Sequence, residues 1–539
     1  AADYTAMGQG GETITATSSL TTGTGATAVT TTSTATRAIH IDTAAPTLGI
    51  ASSATALKGG ETATLTFTFS EAPDGFTAAD IVATGGIVSG LARTADSKVY
   101  TAIFTPTPGT PAATSSIFVN DNTYSDAAGN NGAGADAPNI SIDTLAPAVA
   151  ITSDVAAVKI GETANITITF NEIPSGFIPT DVVTTGGTLS GLTDTADPKI
   201  FTGTFTPSTD FEGNASITIA GGAYTDAAGN NGGAGATPAI AIDTLAPTLA
   251  ITSNDAALKI GETATITFTF SSAPTDFAAG DVTTTGGSLS NLAVTADPKV
   301  YTATFTPTAD FEGNASISVG AGTYTDTAGN AGGAGATPAV SVDTLAPGIA
   351  INNIAVDNVI NATEFAGALT ISGTTTGAEN GQTVTVNLNG KAYTGAVSGN
   401  AWSVTVAAGD VGVLVDQTVY PVTANVSDLA GNAAAEASKS VRVATSGPVV
   451  EINAMAGDGY INASEYGDEL VISGTASGAD GQTLTVHLNG QAYTSTVTAG
   501  AWSVTVDAAT MGALADGPYT VTAEVTDTSN NPGDASRVL

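Results

Sequence analysis

The chain of 539 residues contains no cysteine. This absence excludes the disulfide-stapled modules of eukaryotic extracellular proteins, whereas the modules of a bacterial secreted protein need no disulfides. It also removes cysteine as a catalytic nucleophile or zinc ligand. The stability of the fold must therefore come from side-chain packing, with bound metal as a further source.

Basic residues are scarce as well. The sequence has 12 Lys and Arg against 49 Asp and Glu, which gives a formal net charge of −37. Nucleic acids and anionic membrane surfaces attract proteins through Lys and Arg, so both are excluded as partners, and cations are favoured instead. Only 11% of the residues are charged and 42% are hydrophobic, which is enough apolar surface to build cores and argues against disorder.

Long apolar runs and catalytic residue sets are also missing. No apolar run reaches the roughly 20 residues of a transmembrane helix, and the chain begins without a leader pattern. We therefore expect that the sequence is a fragment or that its export and anchoring segments lie elsewhere. The two histidines, His40 and His487, do not occupy matching positions, and no phosphate-binding loop or zinc-ligand cluster appears. We expect no enzymatic activity.

What the chain does contain is a repeat with a period of about 100 residues. The phrase Asp-Thr-Leu-Ala-Pro stands at 143–147, 243–247 and 343–347, and a variant stands at 42–46. Residues 344–445 and 446–539 match each other and define a second type, for example through Ala-Trp-Ser-Val. The sequence thus predicts three first-type modules and two second-type modules, preceded by the tail of another module or a linker strand. The predicted boundaries are 1–43, 44–143, 144–243, 244–343, 344–445 and 446–539.

Within each module the hydrophobic pattern has a period of two. Ile266, Phe268 and Phe270 alternate with threonines, which indicates an antiparallel strand with one buried face. Asn389-Gly390 and Asn489-Gly490 fit the positive φ angles of two-residue hairpin turns. No segment shows helical periodicity. The pattern predicts an all-β fold, a tandem array of immunoglobulin-like antiparallel β-sandwich domains. We expect Trp402 and Trp502 to pack in the cores.

Several motifs resemble a known family. Gly-Glu-Thr-Ala at 161–164, Tyr-Thr-Asp-Ala-Ala-Gly-Asn at 224–230 and Ile-Asp-Thr-Leu-Ala-Pro at 242–247 are similar to bacterial Ig-like repeats of large, type I-secreted (RTX-type) adhesins and biofilm-associated surface proteins. The second type resembles another module of the same proteins, through Ile-Asn-Ala-Thr-Glu at 360–364. The resemblance implies an extracellular stalk that projects a binding domain in cell adhesion and biofilm formation, often with bound calcium.

Acidic loops near the module junctions are the candidate Ca²⁺ sites. Calcium takes six to eight oxygen ligands, which closely spaced Asp, Asn and Glu can supply. The same residues also make ordinary turns by bonding nearby backbone N–H groups, and this second interpretation stays open for each loop. The candidate ligands are Asp126, Asn130, Asp143, Asp226, Asn230, Asp243, Asp326, Asn330, Asp343, Asp357, Asn361, Glu364, Asp428, Asn432, Asp458, Asn462 and Glu465.

The order of strands in a sandwich bears on which of these residues can meet. The loop before the last strand and the exit of that strand lie at opposite poles. Asp226 is therefore expected to lie far from Asp243 of its own module and to face the junction of the previous module instead. A metal there, together with the junction proline, would stiffen the joint.

Three functions are compatible with the sequence. The first is the stalk of an adhesin, in which the partners of each module are its neighbours in the same chain. The second is a subunit of a surface layer or an extracellular-matrix filament, which would require self-association. The third is a set of accessory modules of a polysaccharide-degrading enzyme whose catalytic domain lies elsewhere. The near-identity of the central modules favours the stalk.

Overall fold

The computed structural model describes residues 8–539. The chain divides into two compact units, Ala1–Ala246 with Ala328–Asn330, and Pro247–Thr327 with Ala331–Leu539. The first unit holds a hairpin followed by two β-sandwich modules, and the second holds three modules. Almost all strand pairs are antiparallel, and the all-β prediction is confirmed.

The first unit opens with a two-stranded hairpin, in which most side chains are exposed. Its strands are β1 (Gly10–Thr22) and β2 (Val29–Ile41), joined through a short 3-10 turn. The two strands have 13 residues each and pair along their whole length, and whether they are the tail of a preceding module or a linker stays a prediction.

Module 1 follows the hairpin. One sheet has the strand order β3-β5-β8-β7, and the opposite layer is formed by β11-β10-β6 and β4-β12-β9. A 3-10 turn at Ala78–Asp80 precedes β6. The strands are β3 (Leu48–Ser52), β4 (Ala56–Lys58), β5 (Ala63–Phe69), β6 (Ile81–Ala83), β7 (Gly86–Arg93), β8 (Val99–Pro106), β9 (Ala113–Ser115), β10 (Ile117–Val119), β11 (Ala135–Asp136) and β12 (Ile140–Asp143).

Module 2 repeats this architecture. Its sheets have the orders β13-β15-β18-β17 and β14-β21-β19-β16, with β20 paired to β19. A 3-10 turn lies at Pro179–Asp181. The strands are β13 (Val149–Ser153), β14 (Ala157–Lys159), β15 (Ala164–Phe170), β16 (Val182–Thr185), β17 (Gly187–Asp194), β18 (Ile200–Pro207), β19 (Glu212–Ile219), β20 (Gly235–Ala236) and β21 (Ile240–Asp243).

Module 3, the first module of the second unit, has the same strand orders. They are β22-β24-β27-β26 and β23-β30-β28-β25, with β29 on β28. A 3-10 turn lies at Ala279–Asp281. The strands are β22 (Leu249–Ser253), β23 (Ala257–Lys259), β24 (Ala264–Phe270), β25 (Val282–Thr285), β26 (Gly287–Val294), β27 (Val300–Pro307), β28 (Glu312–Val319), β29 (Gly335–Ala336) and β30 (Val340–Asp343).

Module 4 belongs to the second sequence type. Its sheets have the orders β31-β33-β36 and β32-β38-β37-β34-β35. The strands are β31 (Gly348–Ile351), β32 (Val359–Ile360), β33 (Leu369–Thr376), β34 (Thr383–Leu388), β35 (Lys391–Ala396), β36 (Ala401–Val406), β37 (Val419–Asn425) and β38 (Ala437–Val443).

Module 5 is similar, with the sheet orders β39-β40-β43 and β42-β41-β44-β45. The strands are β39 (Val449–Ile452), β40 (Leu470–Ser477), β41 (Thr483–Leu488), β42 (Gln491–Thr496), β43 (Ala501–Val506), β44 (Thr520–Thr526) and β45 (Pro532–Val538). The hairpin turns predicted at 389–390 and 489–490 connect β34 to β35 and β41 to β42.

Three single-turn helices depart from the sequence prediction, which contained no helix. They are α1 (Ala362–Phe365), α2 (Ala408–Val411) and α3 (Ala508–Met511). Four residues complete little more than one turn of 3.6 residues, so no hydrophobic period can repeat within them. No helix among residues 8–539 is long and apolar enough to cross a membrane.

Each of the five modules has its own hydrophobic core. The alternation predicted from sequence is observed directly, since Ile266, Phe268 and Phe270 are buried between exposed or half-buried threonines. Trp402 and Trp502 are buried in the cores of modules 4 and 5, as predicted. Because no core is shared, each module can fold around its own apolar residues.

Candidate functional site

The joint between modules 1 and 2 is built around the linker that follows β12. The carbonyl of Pro147 in this linker accepts hydrogen bonds from the Tyr224 hydroxyl (3.3 Å) and from the Gly233 N–H (2.9 Å). Tyr224 is buried, and its ring packs so closely on Gly232 that a Cβ there would lie 2.3 Å from two ring carbons. The start of module 2 is thereby tied to its own last loop.

That loop, Asp226–Asn230, is folded by its aspartate. Asp226 Oδ1 accepts from the backbone N–H of Asn230 (2.8 Å), and Asp226 Oδ2 accepts from Asn230 Nδ2 (2.7 Å). Gly229 adopts a positive φ of 87°, which glycine tolerates without strain. The Asp-Ala-Ala-Gly-Asn sequence thus makes a turn whose two polar side chains bond each other, in agreement with the turn interpretation.

The asparagine at the end of the loop bonds the previous module. Asn230 Nδ2 donates to the carbonyl of Asp143 at 2.9 Å, and Asn230 Oδ1 accepts from the N–H of Gly59 at 2.7 Å. Lys58 Nζ also donates to the carbonyl of Gly229 at 3.0 Å. The loop of module 2 therefore faces the junction of module 1, as expected from the strand order.

Three carboxylates meet at this joint. Asp143, Glu172 and Asp226 each offer an oxygen within 4.8 Å of the others. Burial raises the pKa of Glu172, and the negative charges of Asp226 and Asp143 raise that pKa further, while Lys199 opposes the shift. Glu172 Oε1 is buried and has no hydrogen-bond partner among the residues that the structure describes. The three negative carboxylates repel one another, and a bound cation would reduce this repulsion.

A second carboxylate group lies between the hairpin and module 1. It consists of Asp42, Glu71 and Asp126, again with oxygens within 4.8 Å of one another. Asn130 Nδ2 bonds the Asp42 carbonyl at 3.0 Å and Asp126 Oδ2 at 2.7 Å. Burial alone would raise the pKa of Asp126, but hydrogen bonds from Asn130 and the loop amides hold that pKa below its ordinary value. The arrangement repeats that of Asp143, Glu172 and Asp226.

The other first-type candidates occupy the same structural positions. Asp243 and Asp343 end β21 and β30, and the carbonyl of Asp243 accepts from Asn330 Nδ2 at 3.0 Å within the first unit. Asp326 and Asn330 are buried. Where Glu71 and Glu172 stand in modules 1 and 2, module 3 has Ser272. Among residues 8–539, the acidic groups that can hold a metal are the two described above.

In the second unit, Asp428 and Asn432 form the same turn. Asn432 donates from its backbone N–H to Asp428 Oδ1 (2.8 Å) and from Nδ2 to Asp428 Oδ2 (2.9 Å). Asn432 Nδ2 also donates to the carbonyl of Asp343 at 2.9 Å, and its Oδ1 accepts from the N–H of Ile260 at 2.8 Å. Module 4 is thus joined to module 3 by the same asparagine bonds that join modules 1 and 2.

The acidic run of module 4 bonds its own backbone. Asp357 Oδ1 accepts from the Val359 N–H at 2.9 Å, and Asn361 Oδ1 accepts from the first-turn N–H groups of α1. Glu364 Oε2 in return accepts from the Asn361 N–H at 3.1 Å, which completes a capping box. These contacts agree with the turn interpretation, and calcium binding by this run stays a prediction.

The equivalent run of module 5 behaves in the same way. Asp458 Oδ1 accepts from the Tyr460 N–H at 3.0 Å, and Asn462 Oδ1 accepts from the Ser464 N–H at 2.9 Å. Glu465 Oε2 accepts from the Asn462 N–H at 3.0 Å. As in module 4, the side chains stabilise a local turn, and a calcium role for them stays a prediction.

Sequence reasoning missed five residues at the joints, of which Asp42 was noted only as part of the variant repeat phrase at 42–46. Glu71 and Glu172 complete the two carboxylate groups, but each follows an unremarkable strand and stands more than 50 residues from its loop aspartate. Asp527 and Asn531 form the loop that joins module 5 to module 4, and Asn530 replaces the usual glycine there, with a φ of 62°. The Asp-to-Asn spacing of four residues was the available signal.

The linker between modules 4 and 5 has an additional clamp. Asp416 accepts from the Thr445 N–H at 2.7 Å and from the Ser446 hydroxyl. The hydrogen bond from Ser446, followed by that from the Thr445 backbone, lowers the pKa of Asp416 to about 2. The charged carboxylate therefore holds the linker to a loop of module 4.

We expect this clamp to open in acid. A carboxyl with a folded pKa of about 2 and an unfolded pKa of about 3.9 stabilises the fold above pH 4, and this contribution is lost as the pH falls towards 2. Hydrogen exchange of the 444–447 segment should accelerate over that range, and D416N should show the acid-state rate already at neutral pH. D516N, at the equivalent position of module 5, is the matched control. Equal rates in D416N and the unaltered protein at pH 7 would contradict the clamp.

The repeated modules are similar to a known protein family. The model of a family described as bacterial Ig-like domain matches residues 42–142, 143–242 and 243–344, together more than half of the chain. This match confirms the resemblance drawn from the sequence. No curated protein matches the chain.

Several solved structures are similar to parts of the chain. A 1.5-MDa bacterial ice-binding adhesin is 27% identical over 54% of this chain and 96% of that chain, with a TM-score of 0.32. A Ca²⁺-stabilised, ice-binding adhesin of an Antarctic bacterium is 26% identical over 72% and 97%, with a TM-score of 0.29. A bacterial immunoglobulin-like domain from the M. primoryensis ice-binding adhesin is 36% identical over 18% and 95%, with a TM-score of 0.15.

Proposed function

The chain belongs to the bacterial Ig-like domain family, and on that premise we propose that it is a structural extender, the stalk of a bacterial cell-surface adhesin. The observation that carries the proposal is the repetition of one joint between modules that each have a separate core. A string built in this way gains length by adding modules, while every module contacts mainly its neighbours. The chain would act outside the cell, without catalysis, to hold a binding domain away from the surface in adhesion and biofilm formation.

We further propose that calcium stiffens the first two joints. Asp143 comes from module 1, whereas Glu172 and Asp226 come from module 2, so one ion would bridge both modules. Carboxylate oxygens are the ligands calcium prefers, and extracellular modules commonly bind it at about 10⁻⁴ to 10⁻³ M. Both oxygens of Asp226 already accept N–H groups but keep a free lone pair each, so they can still act as ligands. The group Asp42, Glu71 and Asp126 would do the same before module 1.

Single-molecule force spectroscopy on the whole chain tests the stalk. Separate cores predict one rupture per module, five in all, each releasing about 100 residues or roughly 350 Å of extended chain. A single cooperative rupture would contradict the proposal.

The alternative function, a surface-layer or matrix subunit, predicts that purified protein assembles into ordered sheets or fibres. Electron microscopy of the same sample would show them, and their appearance would replace the stalk with the lattice.

A further inference from the structure

The joints between the modules of the second unit have no group of three carboxylates, so other contacts must hold these modules together. Among residues 8–539, both groups of three acidic residues lie in the first unit. At the joint between modules 4 and 5 the carbonyl that meets the loop belongs to Ala444, where the first-type joints have an aspartate. Even so, the loop of module 5 makes the same bonds as the others. A bridging metal is therefore not what these joints share.

We propose that the last asparagine of the loop in modules 2 to 5 is a metal-independent latch that binds a pair of backbone groups on the preceding module. The pair consists of a carbonyl at the end of the last strand, or one residue beyond it in module 4, and an N–H from a neighbouring segment. Asn531 shows it most clearly, with Nδ2 donating to the Ala444 carbonyl at 2.8 Å and Oδ1 accepting from the Ala362 N–H at 2.7 Å. The latch is a binding site for a peptide backbone, formed by one side chain.

The strand pairing of the preceding module explains why both backbone groups are within reach. In each module with a latched end, a short early strand runs parallel to the last strand. The pairs are β4 with β12, β14 with β21, β23 with β30, and β32 with β38. Parallel strands end at the same pole, so a carbonyl at the end of one and an N–H just beyond the end of the other lie close together. A single amide can then bond both.

The residues that offer this pair differ from joint to joint. The carbonyl comes from an aspartate in the first-type modules and from Ala444 in module 4. The N–H comes from Gly59, Ile160, Ile260 or Ala362. Because only main-chain atoms are recognised, the latch does not depend on the side chains of the preceding module. It therefore joins first-type to first-type, first-type to second-type and second-type to second-type modules.

The chemistry of the latch requires asparagine. Asp527 Oδ2 can only accept a hydrogen bond, so the amide must turn Nδ2 towards it, and the bond is 3.0 Å long. The second hydrogen of Nδ2 then points to Ala444, and Oδ1 is left for Ala362. Asn531 is only 1% exposed, so loss of any of these bonds leaves buried polar groups unsatisfied. Aspartate would lack both donors and would repel Asp527.

The test breaks the latch from both sides in the full chain, with chelator present. Because the chain has no cysteine, A392C and A492C on exposed strand positions of modules 4 and 5 can carry a unique spin-label pair. N531A removes the latch, whereas A362P removes only the N–H that it binds. Proline is well tolerated at Ala362, because this residue opens α1 and Asn361 before it is extended. N530G, in the same loop and at a positive φ, is the matched control.

We expect N531A and A362P to broaden the distribution of distances between the labels, and N530G to leave it unchanged. The N531A/A362P double variant should be no broader than N531A alone, because both changes remove the same interaction. The Leu470 and Leu369 strands should keep their hydrogen-exchange protection in A362P, which shows that both modules remain folded. An unchanged distribution in folded A362P, or additive broadening in the double variant, would overturn the latch. Neither result bears on calcium binding by Glu172 or on the five ruptures expected for a stalk.

Discussion

F205A is expected to unfold module 2 while modules 3, 4 and 5 stay folded. Phe205 lies in β18, its side chain is 0% exposed, and its removal leaves a cavity in a core that no other module shares. Truncation of a buried phenylalanine costs about 3–5 kcal/mol, a large part of the roughly 5–15 kcal/mol that stabilises a typical domain. Hydrogen exchange followed by mass spectrometry, module by module, measures the effect.

The control for this prediction is V183A in the same module. Val183 is 58% exposed, so its truncation should change the stability by less than about 0.5 kcal/mol. F305A is the equivalent change in module 3, and it should lower the hydrogen-exchange protection of module 3 instead of module 2. If F205A lowered the protection of all five modules together, the cores would not be independent, and the basis for a string of separate modules would fail.

The contrast between core and joint shows what the sequence can predict. The alternation in β24 identifies Ile266, Phe268 and Phe270 as core residues, because in a strand the burial of every second side chain is a local property. The Asn-Gly turns are equally local, since they depend on the φ angles of two residues. The all-β fold and the buried tryptophans follow from such patterns.

The joints are different, because their residues meet only when two modules are in place. Asp226 and Asn230 suit a turn and a calcium site equally well by composition, and in the structure their side chains bond each other within the turn. Glu172 completes the carboxylate group from a distant loop, and no spacing rule connects it to Asp143 or Asp226. The loop from Asp527 to Asn531 has Asn530 in place of the usual glycine, and this one change makes the repeated motif hard to recognise in the sequence. Contacts that depend on module arrangement cannot be read from local periodicity.

Calcium should stabilise modules 1 and 2 selectively. If the dissociation constant is about 10⁻⁴ to 10⁻³ M, then about 10 mM calcium corresponds to roughly 10 to 100 times that constant and adds about 1.4–2.7 kcal/mol. Hydrogen exchange in calcium and in chelator should show this gain for peptides of modules 1 and 2. Modules 3, 4 and 5 should show no gain, because the described residues place no third carboxylate at their joints.

The E172Q substitution should change the stability of module 2 in opposite directions in chelator and in calcium. In chelator, the substitution removes a half-buried charge that repels Asp143 and Asp226, so module 2 should become slightly more stable than in the unaltered protein. In calcium, the same variant should lose the gain of module 2 but keep that of module 1, whose carboxylate group is intact. E162Q is the matched control, since Glu162 is exposed and bonds only a local turn. A destabilised E172Q module in chelator would mean that Glu172 is a structural side chain, and an undiminished calcium gain would mean that Glu172 is not a calcium ligand.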